Sequence, residues 1–301
     1  MSFDFSLKTL RDLLLKPQGH KYQHGHALVL TGGMGRTGAA RLAARGALRI
    51  GAGVVTLGAP DEAMPECAAQ ISALMLRRID TGEDLTAALQ DRRINALCMG
   101  PGLGVQRAGA MLAALQAAAP GYRGALVLDA DALTALAPQP VTLPANCVLT
   151  PHDGEFARLF PDLSARLGEP ALRGPAAWRL DATLEAANRT GAVVLLKGPD
   201  TVIAAPDGRL ALHRAAGSRA VPWLATAGAG DVLAGIITGL LTRGTAAFEA
   251  ACAGAWIHVE AARIFGPGLI ADDLLDTLPA ALRSLQSPRE ADEDLDRGLQ
   301  P

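Results

Sequence analysis

Cysteine is scarce in this chain, and the few cysteines are far apart. The four residues form no CxxC pair: Cys67, Cys98, Cys147 and Cys252. A disulfide-stabilised secreted scaffold and a structural zinc cluster both depend on closely spaced cysteines, so we expect neither. A large excess of charge of one sign is also lacking, since the formal net charge is −2. The sequence therefore offers no long-range attraction to nucleic acid or to an acidic membrane surface.

Long hydrophobic runs are missing as well. No apolar stretch approaches the roughly 20 residues of a membrane-spanning helix. The opening sequence MSFDFSLKTLRDLLLK does not have the pattern of a signal peptide. We therefore expect a soluble, cytoplasmic protein that does not bind membranes. Because 50% of the 301 residues are hydrophobic, the chain can still build a large core, either as one domain or as two smaller ones.

Lysine is rare and unevenly placed. Lys8, Lys16 and Lys21 lie near the start of the chain, and the only other lysine is Lys197. All remaining basic charge is carried by arginine. Lys197 follows a predicted strand at 192–196, so its isolation makes it a candidate for a specific role. The alternative is a solvated lysine at a strand end.

The most informative stretch is 224–241, LATAGAGDVLAGIITGLL. Three small residues, Gly228, Ala229 and Gly230, lead into Asp231, and apolar pairs then recur about every four residues. This repeat predicts a buried helix that begins in a glycine turn and carries a carboxylate in its first turn. One face of the helix has only small residues and is expected to pack closely on a neighbour: Ala234, Gly235 and Gly239.

This arrangement has a chemical consequence. The first N–H groups of a helix lack partners within the helix, and the helix dipole adds partial positive charge there. Glycine lets the main chain approach a phosphate closely, which makes an anion hole without a basic side chain. Asp231 beside such a hole could take a proton from a hydroxyl group while the N–H groups stabilise the transferred charge. The alternative is that Asp231 merely caps a core helix.

The rest of the chain alternates strands with helices. We predict a docking helix at 4–16, an apolar helix at 246–265 and a hairpin near 206–208 with a return strand at 209–213. Six further strands are predicted at 26–30, 53–58, 95–99, 125–128, 147–149 and 192–196. Polar or glycine-rich segments follow these strands, and open α/β sheets bind ligands at the carboxyl ends of their strands. We expect a single domain over 1–286 and a polar, disordered tail at 287–301.

Two further motifs leave alternatives open. Gly33, Gly35 and Gly38 spell G-x-G-x-x-G between a predicted strand and a helix, as in dinucleotide-binding folds. A Rossmann dehydrogenase is therefore an alternative, although Asp61 lies too far along for the usual ribose-binding carboxylate. Asp129 and Asp131 in DADAL are candidates for the polar floor of a site, while Asp131 can equally cap the following helix.

Six segments taken together resemble one known family. They are GGMGRTGAARLAARGALRIGAG, GPGLG, VLDADAL, LTPHDGEF, LLKGPDT and ATAGAGDVLAGII, in that order between about Lys21 and Ala281. The chain resembles the NAD(P)H-hydrate dehydratases of the ribokinase-like superfamily. The resemblance implies an α/β fold whose central, mostly parallel sheet has helices on both faces. It also implies use of ADP or ATP to phosphorylate the ring hydroxyl of hydrated NADH or NADPH (the S epimer), after which loss of phosphate restores the double bond.

The resemblance assigns roles to particular residues. Asp231 would be the base, beside an anion hole formed by Gly228, Ala229 and Gly230. The residues implied to bind the hydrated dinucleotide are Ala39, Ala40, Gly102, Gly104, His152 and Asp231. Those implied to bind the nucleotide are Lys197, Gly198, Pro199, Asp200, Thr201 and Gly230. Glu155 would lie near Mg²⁺, directly or through water.

The resemblance also implies partners and leaves other functions open. It implies a homotetramer and a functional pairing with a separate NAD(P)H-hydrate epimerase. The chain departs from the family where Asp153 replaces a frequent proline, where Ala227 and Ala229 stand in the anion-hole motif, and in the loop 214–224. A small-molecule kinase of the same superfamily, acting on a hydroxymethylpyrimidine, sugar or vitamin alcohol, is the main alternative. A non-catalytic nucleotide sensor is another, and His152 could serve structure alone.

Overall fold

The computed structural model describes residues 6–117, 122–137, 143–144, 146–167 and 175–286. Within these residues one sheet contains nine strands: β1 (His26–Leu30), β2 (Val54–Ala59), β3 (Met75–Arg78), β4 (Ile94–Met99), β5 (Ala125–Leu128), β6 (Cys147–Leu149), β7 (Val193–Leu196), β8 (Asp200–Ala204) and β9 (Leu210–Arg214). The strand order is β3-β2-β1-β4-β5-β6-β7-β8-β9. Strands β1 to β7 are parallel, whereas β7–β8 and β8–β9 pair in antiparallel fashion.

The helices of the described residues cover both faces of the sheet. They are α1 (Leu7–Leu14), α2 (Gly38–Arg49), α3 (Met64–Gln70), α4 (Gly82–Ala88), α5 (Val105–Ala117), α6 (Ala130–Leu136), α7 (Asp153–Leu159), α8 (Pro161–Leu167), α9 (Pro175–Thr190), α10 (Ala229–Thr242), α11 (Ala247–Phe265) and α12 (Ala271–Gln286). Helices α1 to α3 and α10 to α12 contribute to one core layer, and α4 to α9 to the other. The predicted fold class is confirmed.

Alternation along the strands divides the core between the two faces. In β1, Ala27 and Val29 lie in the α2/α10 layer, while Leu28 and Leu30 lie in the opposite layer. All five residues of β1 are buried, as expected for a central parallel strand covered on both sides. Such strands read as short continuous apolar runs, and this is why the six predicted strands agree with the structure to within one residue at each end.

The remaining sequence predictions have mixed outcomes. The return strand of the hairpin lies one residue later than predicted, at β9. Strand β3 was not predicted, because this edge strand has the sequence MLRR and its residues are exposed or half-buried. The N-terminal helix begins at Leu7, packs against α11 and α12, and buries Leu10 and Leu14. The tail at 287–301 lies outside the described residues.

The switch point of the sheet lies between β1 and β4. From β1 the chain continues to β2 and β3 on one side, and from β4 it continues to β5, β6 and β7 on the other. Open α/β sheets bind ligands in the crevice outside the carboxyl ends of the strands at such a point. The G-x-G-x-x-G loop after β1 and the GPGLG loop after β4 flank this crevice. In the described part of the chain, no helix has both the length and the hydrophobicity needed to cross a membrane.

Helices α2 and α10 pack unusually closely, as the small-residue face of α10 predicted. A Cβ atom on Gly235 would lie 2.0 Å from the carbonyl oxygen of Ala43, and one on Gly239 would lie 2.5 Å from that of Ala47. Real Cβ atoms do not approach main-chain oxygens so closely, so α10 can sit at this depth only with glycine at both positions. The contact fixes the position of the N-terminus of α10, where Asp231 lies.

Substituting Gly235 with alanine is therefore expected to destabilise the fold by about 1–3 kcal/mol, the usual cost of overpacking a core. The measurement is the free energy of unfolding in urea. Gly109→Ala is the matched control, because the nearest atom that a Cβ on Gly109 in α5 would meet outside its own helix, among the described residues, is Ala135 Cβ at 4.0 Å, and alanine favours a helix. Equal stabilities of the two variants would contradict the close α2–α10 contact.

Candidate active site at the carboxyl edge of the sheet

The carboxyl ends of three adjacent strands bring a lysine and two carboxylates together. Asp129 follows β5, Glu155 lies just beyond β6 in α7, and Lys197 follows β7. The Lys197 Nζ atom lies 2.8 Å from Asp129 Oδ1 and 3.8 Å from Glu155 Oε2. The isolated lysine of the sequence is thus a half-buried, paired residue of the sheet edge, and the interpretation as a solvated strand-end lysine is wrong.

Asp129 anchors this group. The residue is 1% exposed, and Thr150 donates its hydroxyl hydrogen to the same Oδ1 atom at 2.8 Å. Burial alone would lower the pKa of Lys197, but Asp129 and Glu155 outweigh burial and raise it. Lys197 is therefore a permanent positive charge held at a fixed point of the site. A buried charge is tolerated only when it is paired and hydrogen-bonded, as this one is.

Asp231 has the protonation behaviour of a general base. The pKa of Asp231 is raised to about 7, first by burial and next by the negative charge of Asp129, while the positive charge of Lys197 opposes the rise. A general base works best when its pKa is near the working pH. A large fraction of it is then deprotonated, and its affinity for the substrate proton is still high. Strongly shifted carboxyl groups in clefts are typical of catalytic sites. The helix-cap alternative for Asp231 is wrong, since Gly228 is the N-cap residue of α10.

The first turn of α10 has the geometry of an anion hole. Gly228 adopts φ +89°, a left-handed conformation that favours glycine, and it turns the chain into the helix. In the described part of the chain, the N–H groups of Gly230 and Asp231 have no acceptor. A Cβ on Gly230 would lie 3.3 Å from Lys197 Nζ, so the lysine lies directly beside these donors. The arrangement can hold an anion next to a base.

The HDGE turn forms a capping box at the start of α7. The Nδ1 atom of His152 accepts hydrogen bonds from Gly154 N at 3.0 Å and Glu155 N at 3.4 Å. Glu155 Oε2 in turn accepts from His152 N at 2.9 Å. Since Nδ1 accepts, the neutral imidazole carries its proton on Nε2, and the side chain is 55% exposed. His152 therefore has a structural role in this turn, and its Nε2 atom lies 3.4 Å from Glu155 Oε1.

The glycine loops on the other side of the switch point contact each other. A Cβ on Gly102 would lie 2.7 Å from the carbonyl oxygen of Arg36 and 3.2 Å from Ala39 Cβ. Gly104 N donates to Asp131 Oδ2 at 2.8 Å. The alternative that Asp131 caps α6 is wrong, because Asp129 occupies the N-cap position and the carboxylate of Asp131 accepts this hydrogen bond from a distant loop. Ala39 is half-buried, whereas the side chain of Ala40 is fully buried, so only the main chain near Ala40 can reach a ligand.

The segment between the two aspartates is strained. Ala130 has φ +47°, in the left-handed region that non-glycine residues rarely occupy, at a cost of about 1–2 kcal/mol. Such conformations persist where the surrounding structure fixes them, and they concentrate at functional sites. Here the strained residue lies in the turn that directs the side chain of Asp129 toward Lys197 and that of Asp131 toward Gly104.

A cavity of about 650 Å³ opens beside Lys197 and the start of α10. This volume is in the range of small-molecule sites. Its lining includes four of the five residues in the KGPDT segment, Lys197, Gly198, Pro199 and Thr201, as well as Gly230. Asp200 is not part of the lining. The opposite wall is mainly apolar and comes from the loop 215–225 and from α11, so the cavity suits a flat, partly apolar ligand with an anionic end.

Sequence reasoning missed two histidines of this region. His258 lies in the apolar helix α11 and its Nε2–H donates to the carbonyl oxygen of Ala229 at 2.9 Å, which supports the anion hole. Burial lowers the pKa of His258 to about 4, so this histidine is neutral at pH 7. His213 also lines the cavity. The signal in the sequence was only a polar residue on an apolar element, which more often indicates a satisfied core residue.

Few of the described side chains in this site could bind Mg²⁺ directly. Within the described ranges, no group of three His, Cys, Asp or Glu side chains is placed to hold a metal ion. Glu155 Oε2 already accepts a hydrogen bond, and its Oε1 lies 3.4 Å from His152 Nε2. Carboxylates are nevertheless the protein ligands that Mg²⁺ prefers, and this ion usually keeps several waters and binds substrate phosphates. The donor set fits Mg²⁺ held mainly by a nucleotide and by water.

Comparisons with known proteins agree with this geometry. The ADP-dependent (S)-NAD(P)H-hydrate dehydratase of Neisseria meningitidis is 37% identical over 277 residues, which cover 89% of this chain and 87% of that protein. The bifunctional NAD(P)H-hydrate repair enzyme of Moorella thermoacetica is 38% identical over 288 residues, which cover 90% of this chain and 52% of that protein. The chain thus spans about half the length of such bifunctional relatives.

Solved structures give the same result. The ADP/ATP-dependent NAD(P)H-hydrate dehydratase of Bacillus subtilis, co-crystallised with ATP and Mg²⁺, superposes with a TM-score of 0.75 at 28% identity, over 93% of this chain and 98% of that one. A ribokinase from Cryptococcus neoformans in complex with ADP has a TM-score of 0.57 at 16% identity, over 86% of this chain and 99% of that one. This second likeness shows the ribokinase-like fold alone.

A family model supplies the remaining observation. The model described as NAD(P)H-hydrate dehydratase matches residues 27–279, a range that begins in β1, ends in α12 and contains all six segments on which the family resemblance rests. The family prediction is therefore confirmed, and the chain belongs to the NAD(P)H-hydrate dehydratase family.

Proposed function

We propose that this protein uses ADP or ATP to dehydrate the S epimer of hydrated NADH or NADPH, which returns the damaged coenzyme to NADH or NADPH. The observation that carries the proposal is the position of Asp231. It is a carboxylate with a pKa of about 7 in the first turn of α10, beside free N–H groups and Lys197. A base, an anion hole and a fixed positive charge are what phosphoryl transfer to a hydroxyl requires.

In the proposed reaction each group has one task. Asp231 takes the proton of the ring hydroxyl as the hydroxyl oxygen attacks the terminal phosphorus of the nucleotide. The P–O bond to the rest of the nucleotide breaks, so that AMP leaves from ADP or ADP leaves from ATP. The N–H groups of Gly230 and Asp231, together with Lys197, stabilise the phosphoryl group in transfer. The ring nitrogen then supplies an electron pair as the C–O bond of the phosphate ester breaks and inorganic phosphate leaves. The adjacent ring carbon loses a proton to solvent water, which forms the double bond.

We place the nucleotide in the 650 Å³ cavity, with Gly198, Pro199 and Thr201 against it and its phosphates toward the start of α10. Mg²⁺ would accompany those phosphates, with Glu155 reaching it through water, and would neutralise their charge. The dinucleotide would occupy the crevice between the loops after β1 and β4, with the main chain near Ala39 and Gly102 and the ring of His152 as contacts. The homotetramer and the partnership with an epimerase stay predictions.

The test is a rise in absorbance at the reduced-nicotinamide band when the protein is added to hydrated NADH. We expect the rise with ADP or with ATP in the presence of Mg²⁺ and no rise without a nucleotide. Hydrated NADPH is measured in parallel. Consumption of ATP with hydroxymethylpyrimidine or another alcohol, and no rise with either hydrated coenzyme, would support a small-molecule kinase instead. Nucleotide binding without any turnover would support a sensor.

The activity is also expected to depend on pH in a defined direction. Because Asp231 must be deprotonated to act and its pKa is about 7, kcat/KM should fall as the pH decreases below about 7. Asp129 is a negative neighbour that raises this pKa, so Asp129→Asn should move the midpoint of the profile to a lower pH. The measurement is kcat/KM for hydrated NADH between pH 5 and pH 9 in both proteins. A profile that is flat across this range would exclude Asp231 as the base.

A further inference from the structure

Arg179 joins two loops of the active site that the mechanism treats separately. It lies in α9, behind the sheet edge, and its side chain is 18% exposed. Its Nη1 atom donates to Asp153 Oδ1 at 2.6 Å, Nη2 donates to the carbonyl oxygen of Lys197 at 2.6 Å, and Nε donates to that of Asp200 at 3.1 Å. One guanidinium group thus contacts both the HDGE turn and the KGPD segment.

The chemistry of these contacts requires arginine. The guanidinium group is planar and presents its N–H donors in a rigid fork, so it can satisfy three acceptors in fixed directions. A lysine ammonium group has no such fork. The main chain also makes room for it, because a Cβ on Gly198 would lie 2.8 Å from Nη2 of Arg179. The glycine of KGPD is therefore needed where the arginine approaches the backbone.

The two carbonyl groups that Arg179 contacts enclose the segment proposed to bind the nucleotide. Lys197 N donates to the carbonyl oxygen of Pro151 at 2.8 Å, so the segment is also attached to the chain just before His152. Between its two ends, Gly198 and Pro199 line the cavity. Both ends of the segment are therefore held by hydrogen bonds, while the residues between them face the cavity.

Asp153 is the residue of the HDGE turn that Arg179 contacts. Asp153 is 68% exposed as a side chain, yet its carboxylate is directed at Arg179. The ion pair links the turn that carries His152 and Glu155 to the nucleotide segment. A charge-assisted hydrogen bond to a half-buried arginine is stronger than an exposed ion pair. A shift of the nucleotide segment would therefore be transmitted to the HDGE turn.

We propose that Arg179 is a positioning residue for the nucleotide-dependent step: it preorganises the Lys197–Asp200 segment for the nucleotide phosphates and ties that segment to the HDGE turn through Asp153. The inference rests on the proposed function, because it assumes that the segment binds the nucleotide. It assigns Arg179 no contact with the reacting atoms. Loss of Arg179 should therefore weaken nucleotide binding more than it slows the reaction of the bound complex.

The experiment compares Arg179→Met and Arg179→Lys with Arg189→Met, a control on the same helix. Arg189 pairs with Glu185 at 3.0 Å and Asp162 at 2.8 Å, away from the cavity lining. We measure the Kd of ADP and ATP by calorimetry, KM and kcat with hydrated NADH, and Tm. Arg179→Met and Arg179→Lys should each raise the nucleotide Kd and KM at least tenfold and change kcat less than threefold. Arg189→Met should leave the nucleotide Kd within twofold of wild type.

Asp153→Asn tests the ion pair to the HDGE turn separately from the hydrogen bonds to the two carbonyl oxygens. It removes the charge at one end and leaves both carbonyl contacts, so the nucleotide Kd should rise by only a few-fold. A lowered Tm with an unchanged nucleotide Kd in both Arg179 variants would reduce Arg179 to a packing role and overturn the proposal. Where Arg179→Met does not fold, Arg179→Lys, which keeps the charge and most of the length, provides the same comparison.

The failure of the proposed function would look different. A wild-type protein that binds ADP or ATP without converting hydrated NADH would contradict the dehydratase reaction, and the Kd comparison would still decide the role of Arg179. A wild-type protein that binds neither nucleotide would overturn both proposals. Binding of the nucleotide is thus measured before turnover.

Discussion

Asp231→Asn is expected to reduce kcat with hydrated NADH by about 10³-fold or more. Asparagine has the size of aspartate but cannot accept the hydroxyl proton, and a positioned general base contributes about 10²–10⁴-fold. The N–H groups of α10 and Lys197 remain, so the KM for ADP or ATP should change little. The measurement is the initial rate of the absorbance rise at saturating nucleotide. A loss confined to KM would show that Asp231 binds a ligand and does not act as the base.

The same variant should be more stable than the wild type above neutral pH. The pKa of Asp231 is raised in the folded protein to about 7, whereas in the unfolded chain it is near 3.9. Between these values the folded state binds more protons, so stability decreases as the pH rises through this window. A neutral asparagine side chain at this position would remove that penalty. We expect Asp231→Asn to raise Tm more at pH 8 than at pH 5, and a lower Tm at pH 8 would contradict a buried, destabilised carboxylate.

How far the sequence predicts this site depends on whether a contact is local. Strand ends, the glycine turn before Asp231 and the capping box at His152 involve neighbouring residues, so their patterns are visible along the chain. Lys197 was identified by its isolation, but its partner Asp129 is 68 positions away and could be inferred only from the parallel order of the strands. The sequence predicted that both residues follow strands whose carboxyl ends meet at one edge of the sheet, but it did not predict that they pair.

Other features depend on contacts that leave no local pattern. Arg179 binds two main-chain oxygens, which every residue possesses, so nothing in its sequence neighbourhood indicates the contact. Asp131 stands where helix caps are common, but it accepts a hydrogen bond from Gly104 in a distant loop. The apolar wall of the cavity comes from small residues of the loop 215–225, which resemble ordinary surface loop. Side-chain packing between segments decides each of these cases.

Lys197→Met is expected to reduce activity about 10²-fold or more and to lower Tm. The activity falls because the nucleotide phosphates lose the fixed charge beside the start of α10. The stability falls because Asp129, which is 1% exposed, would be left as a buried charge whose one remaining side-chain donor among the described residues is Thr150. Breaking a buried pair by removing one partner costs about 3–5 kcal/mol. Lys8→Met, at an exposed position of α1, is the control for loss of a lysine.

Adding Asp129→Asn to Lys197→Met separates these two effects. The asparagine introduced in place of Asp129 can still accept the hydrogen bond of Thr150 and carries no charge, so the double variant should recover most of the lost Tm. It should not recover activity, because the positive charge beside Gly230 is still absent. If activity returned together with Tm, Lys197 would act only as the counter-ion of Asp129. Recovery of Tm without recovery of activity would show that neither charge is needed for the sheet edge to fold. The role of Asp129 would then be to hold Lys197 in place.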